Sequence, residues 1–123
     1  MERLSKSFAF AWNGIRQCGA EEANFRIHIF LAALTVAAGC YFNISAMEWM
    51  VVFMCTGFVI CMEMINTVVE NTCDLIQKDF HPAVKIIKDI SAGAVLLSAV
   101  IALLCGAIIF IPKIFLLIKS IQS

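Results

Sequence analysis

A chain of 123 residues with 62% hydrophobic and only 15% charged side chains, and a mean hydropathy of +0.93, is too apolar to be a water-soluble globule of its size. Nine Lys plus Arg balance nine Asp plus Glu, so no global basic field holds nucleic acid, and no Lys/Arg-rich run or nucleic-acid motif appears. The six cysteines, Cys18, Cys40, Cys55, Cys61, Cys73 and Cys105, form no CxxC or Cys/His ligand spacing; they read as small hydrophobes, with no support for a disulfide framework or zinc site.

No cleavable leader is expected, because the first long apolar run starts near Ala23 and follows an amphipathic segment. In that segment, residues 1–20, Leu4, Phe8, Ala11, Trp12 and Ile15 fall within about 100° at helical spacing, with Arg3, Lys6, Asn13, Arg16 and Gln17 around the remainder. That pattern predicts a helix lying on a membrane surface, weakened by Gly14 and Gly19. Ile27 to Phe42 is interrupted only by His28 and Thr35, and with the residues from Ala23 onward it approaches the roughly 20 needed to cross a hydrocarbon core, forming span one, residues 23–42. His28 reads as a satisfied histidine on an apolar face, and Glu48 in the short polar connection as a solvated loop acid. Trp49 sits where an interfacial aromatic belongs at the start of span two, residues 47–69. Pro82 suits the first turn of a new helix, and Ile90 to Ile111 forms span three, about 33 Å without a charge, stopped by Pro112 and Lys113. Along that span Ala94, Ser98, Ala102 and Gly106 recur at every fourth position, which predicts close helix packing.

The fold class is therefore an all-α membrane protein: a surface helix and three spans in one unit, residues 1–123. Of the nine basic residues, Arg3, Lys6, Arg16 and Arg26 lie before or at the entrance of span one, and Lys78, Lys85 and Lys88 between spans two and three. The positive-inside rule puts the N-terminus and that second loop in the cytoplasm.

Span two carries the chemistry. From Trp49 to Met62 it covers only about 21 Å before a charge, so its helix must take polar residues into the membrane. Glu63, Asn66, Glu70 and Asp74 share an arc of about 80°, with Thr67 at its edge. A charged carboxylate at membrane depth costs about 2.5–3.5 kcal/mol on insertion scales, and acids at helical spacing repel one another. A cation should neutralise the face, and a hard one such as Mg²⁺, arriving with phosphates, suits oxygen ligands. Lys85, Lys88 and Asp89 share a face of the following helix, where its N-terminal end and the lysines suit anionic oxygens. Lys85 by itself reads as an ordinary positive-inside anchor. Glu21, Glu22, Asn24 and Arg26 form a third cluster at the same depth.

Glu22-Ala23-Asn24-Phe25-Arg26, then Glu63-Met64-Ile65-Asn66-Thr67-Val68-Val69-Glu70-Asn71-Thr72-Cys73-Asp74, then His81-Pro82 and Lys88-Asp89-Ile90-Ser91-Ala92-Gly93-Ala94-Val95 together form a specific pattern. With it, nearly the whole chain resembles the prokaryotic integral-membrane diacylglycerol kinase and undecaprenol kinase family. The resemblance implies an ATP-dependent lipid kinase of the bacterial inner membrane, acting in lipid metabolism without a P-loop, and no GxxxxGK motif is present. It implies Glu63 as general base toward the lipid hydroxyl, and Glu22 and Glu70 as ligands of the Mg²⁺ that accompanies ATP. Lys88 would face the phosphates with Asp89 beside it, and Asn66 and Asp74 would line the same site. Arg3, Phe10, Asp79 and His81 align with nucleotide-contacting positions; Phe10 stands where some relatives carry tyrosine, which keeps stacking and loses a phenol hydrogen bond. A homotrimer with sites shared between subunits is implied as well. The stretches around Asn24-Phe25-Arg26-Ile27-His28, Ile44 to Trp49 and Lys88 to Ala99 look more like the undecaprenol branch, with diacylglycerol the other acceptor. From a different class, a small oligomeric transporter or ion pathway could use Glu63 and Glu70 as intramembrane cation sites.

Overall fold

Lipid offers no partner for a backbone N–H or C=O, so apolar runs of this length satisfy themselves only as helices. The computed structural model describes residues 1–123 and contains four: α1 (Glu2–Glu21), α2 (Ala23–Phe42), α3 (Ala46–Ile76) and α4 (Pro82–Gln122). The last three are long and apolar enough to cross a membrane. α3 packs against both α2 and α4, while α2 and α4 flank it almost without meeting. Only 12 of the 123 residues are buried, so most of the apolar surface of this multi-pass protein is left for lipid or other chains to cover.

The α2–α3 connection shows why the chain turns where it does. Asn43 takes the left-handed conformation (φ 52°), which its short polar side chain tolerates, and ends α2. Ser45 then caps α3 in a reciprocal box: its hydroxyl accepts from the Glu48 N–H and Glu48 accepts from the Ser45 N–H, both at 3.2 Å. The other Glu48 oxygen accepts from Lys113 Nζ at 2.8 Å. Glu48 is thus no solvated loop acid; it ties the start of α3 to α4.

Ile44, Val52 and Ile109 form the small core at this end, joined by Phe42, Trp49, Val51 and Phe110. Trp49 stacks on Phe53 with ring centroids 5.3 Å apart and lies over Gly39. A Cβ on Gly39 would stand 2.7 Å from Trp49 Cη2, a rigid ring edge held between neighbours. Gly39→Ala is therefore expected to destabilise the bundle, because overpacking of about 1–3 kcal/mol exceeds the helix-propensity gain of about 0.5–1 kcal/mol. A lower midpoint in thermal unfolding of the purified protein in micelles checks this.

Two further expectations need correction. Pro112 does not stop the third span; α4 runs on through it to Gln122. One missing N–H and a ring clash cost about 3 kcal/mol in a helix interior, but the apolar residues on both sides have no other way to satisfy their backbones near lipid. The helix does start at Pro82, as its fixed φ suggests, and continues through span three as one rod about 60 Å long. Along the small-residue ridge only Ser98 is buried; Ala102 and Gly106 line an open cavity, because α2 and α4 do not close over α3.

Candidate functional site

The site is assembled where α3 leaves the apolar zone, at the end opposite Trp49. α3 supplies a graded face: Glu63 is 2% exposed, Asn66 6%, Glu70 is half-buried and Asp74 is exposed. One helical rod thus carries four oxygen-bearing side chains from a dry environment to a wet one. The Thr67 hydroxyl donates to the Glu63 carbonyl at 3.1 Å, satisfying itself within the helix. Asn66 Nδ2 donates to Glu70 Oε1 at 3.3 Å, while the Asn66 Oδ1 is buried without a partner. An orphaned acceptor in that position suits a hydrogen-bond donor or a cation.

α4 brings the cation. Lys88 Nζ donates to Asp74 Oδ1 at 2.6 Å, and that hydrogen bond holds the ammonium above its ordinary range. Lys88 is accordingly charged throughout the physiological pH range. One helical turn away Lys85 pairs with Asp89 at 2.5 Å, both side chains well exposed, an arrangement worth little energetically. The Pro82 helix start is capped by the preceding residue, His81, whose Nδ1 accepts from the Ala83 N–H at 3.1 Å. Asp79 is exposed in the connection between α3 and α4.

The α1–α2 corner brings the third cluster. Glu22 is the extended residue between the two helices (φ −106°, ψ 110°), and Arg26 holds the corner by donating to the Gly19 and Ala20 carbonyls at 3.1 and 3.0 Å. Between α1 and α3 lies a groove of about 210 Å³ lined by Glu22, Cys18, Thr67 and Asn71 among others. Burial, then the charges of Glu22, Glu21 and Glu63, push the Cys18 thiol up, so it is protonated and inert. Arg3 and Phe10 are exposed on α1, about 22 Å and 12 Å along its axis from Cys18. Within one chain, Arg3 does not reach this groove.

Sequence reasoning gave no part in the site to two residues found there, His28, read as a satisfied histidine, and Asn71. His28 Nε2 stands 3.8 Å from Glu63 Oε2. The usable signal was depth: His28 lies about 7.5 Å along α2 from Ala23, and Glu63 about 7.5 Å from Val68, so each penetrates equally.

Nowhere in residues 1–123 do three His, Cys, Asp or Glu side chains converge closely enough to hold an ion unaided. Glu22, Glu70 and the free Asn66 Oδ1 are hard oxygen donors. Such a set fits a divalent cation that keeps its waters and brings phosphate oxygens with it. The arrangement as a whole can hold an anionic, metal-bound group at its wet end and remove a proton at its dry end.

Comparison with known proteins adds chemistry to this geometry. The profile of the family described as "Prokaryotic diacylglycerol kinase" matches residues 9–110. An undecaprenol kinase of Bacillus subtilis (strain 168) is 39% identical over 113 residues, 92% of each chain. A diacylglycerol kinase of Synechocystis sp. is 34% identical over 110 residues, 89% of this chain and 63% of the relative. A diacylglycerol kinase of Escherichia coli (strain K12) is 25% identical over 107 residues, 87% of this chain and 88% of the other.

Proposed function

Because this chain belongs to the prokaryotic diacylglycerol kinase family and is an ATP-dependent lipid kinase, we propose that it phosphorylates the primary hydroxyl of undecaprenol, with Glu63 as general base. The family membership sets aside the ion-pathway reading. One observation carries the assignment of roles: along a single face of α3, exposure rises from 2% at Glu63 to an open Asp74. A hydroxyl tethered to a lipid tail meets the buried end, and a nucleotide arriving from water meets the other.

The hydroxyl oxygen attacks the γ-phosphorus, the bond from that phosphorus to the β–γ bridging oxygen breaks, ADP leaves, and the hydroxyl proton passes to Glu63. Such transfer needs positioning and charge neutralisation more than covalent chemistry. Lys88 is poised at the wet end to hold phosphate oxygens, exchanging Asp74 for them. Asp89 sits beside it once released from Lys85. Glu22 and Glu70 would hold Mg²⁺, which when bound would neutralise charge on the transferring phosphoryl group. Asp79 and His81 lie on the connection leading to Lys88 and would meet the nucleotide from that side. The α1 face of Leu4, Phe8 and Trp12 is exposed, which fits a helix resting on the membrane surface. Arg3, remote from its own chain's groove, would serve a neighbour's nucleotide in a homotrimer, and Phe10, one helical turn from Gly14 at the groove's edge, would stack on a nucleotide. The whole chain then acts as one kinase unit in the inner membrane, with the N-terminus and the acidic end cytoplasmic.

Undecaprenol is favoured by the 39% identity to an undecaprenol kinase, against 34% and 25% to diacylglycerol kinases. Purified protein in mixed micelles, offered undecaprenol and diacylglycerol side by side, is expected to show the higher kcat/KM for undecaprenol. A higher value for diacylglycerol would reverse the acceptor and leave the site unchanged.

A further inference from the structure

His28 is an ionisable side chain at the site to which the kinase reading gives no role. α2 fixes where it stands: Phe25, three residues earlier, is 4% exposed, and Arg26 is clamped to the α1 carbonyls. Its Nε2 approaches Glu63 Oε2 to 3.8 Å, an ion-pair distance longer than a direct hydrogen bond, with the side chains 20% and 3% exposed. His28 also lines a cavity of about 550 Å³ between α2, α3 and α4, walled otherwise almost entirely by apolar groups. On α3 that wall includes Val59, one helical turn before Glu63. The Thr35 and Thr56 hydroxyls in the wall donate back to Leu31 and Val52 carbonyls at 2.8 Å, so neither competes for a polar guest. The cavity therefore runs from the apolar zone to His28, whose imidazole stands between it and Glu63 at ion-pair distance from the carboxylate.

We propose that His28 is a positioning residue: it holds the Glu63 carboxylate toward the end of this cavity, where an alcohol whose chain enters the cavity would present its hydroxyl. A buried carboxylate with no fixed partner would turn toward whatever polar group or water it could find, and misplacing a reacting group by about 1 Å costs on the order of 10²-fold in rate. The proposal rests on Glu63 being the base.

The test is steady-state transfer from Mg-ATP to undecaprenol by the full chain in mixed micelles. His28→Ala is expected to lower kcat by at least about tenfold with KM for ATP unchanged. His28→Gln, which restores a donor at similar reach, recovers most of that loss. On the residual rate of Glu63→Gln, adding His28→Ala costs nothing more, since the imidazole acts through Glu63. Should the Ala variant elute as misfolded protein, His28→Leu, which refills the wall without a polar atom, takes its place. Wild-type kcat without the imidazole, no recovery with Gln, or an additive loss in the double variant overturns the proposal. Full transfer by Glu63→Gln would instead overturn the base assignment itself; an inactive Glu63→Gln with a fully active His28→Ala removes only the role of His28.

Discussion

Glu63→Gln is expected to lower phosphate transfer into extractable lipid by about 10²–10⁴-fold, the usual contribution of a positioned general base. The amide matches the acid in size and shape, so the packing around a side chain that is 2% exposed is retained. It also relieves the cost of a carboxylate in a dry site, so the folded bundle gains stability or keeps it. Activity and stability thus move independently, which separates a chemical role from a structural one. The KM for ATP is expected to stay unchanged, because in the proposed arrangement the nucleotide would meet α3 at its wet end, about 10 Å further along the axis at Glu70. Label from γ-³²P ATP appearing in lipid at the wild-type rate would refute Glu63 as the base.

Lys88→Ala is expected to cost about 10²–10³-fold in kcat/KM for ATP, the scale of losing one preorganised partner for developing charge. Unlike Glu63→Gln, it raises KM as well as lowering kcat, since Lys88 would contact the phosphates in both ground and transition states. Asp74 matters here in a second way. Its hydrogen bond to Lys88 at 2.6 Å keeps the ammonium charged and anchored when no nucleotide is bound. Lys88→Arg keeps the charge but replaces a compact ammonium with a planar fork, and is expected to restore only part of the rate. Unaltered ATP dependence in Lys88→Ala would remove this residue from the nucleotide site.

Much of this molecule is written locally in its chain. The bounds of α2 follow from apolar length, the start of α3 from the Ser45–Glu48 box and the start of α4 from His81-Pro82, because each is set by residues within a turn or two. The acidic face of α3 was equally legible, since the 3.6-residue period puts Glu63, Asn66, Glu70 and Asp74 together whatever surrounds them. Pro112 misled because its usual effect is calibrated in water, where a broken helix can hydrogen-bond to solvent. Glu48 misled because Lys113, its partner, lies 65 residues away.

The amino-acid sequence alone determined the number of spans, the helix face that Glu63, Asn66, Glu70 and Asp74 share, the family and, through it, the reaction class. Hydropathy and helical period act along one chain segment at a time, which is why they can be read in one dimension. Only the tertiary structure decided which side chains meet: His28 with Glu63, Lys88 with Asp74, Lys113 with Glu48, and the cavity left where α2 and α4 stand apart on α3. Those pairings depend on how each rod is rotated and crossed against its neighbours, and that is set by packing among residues distant in sequence, such as Ile44, Val52 and Ile109.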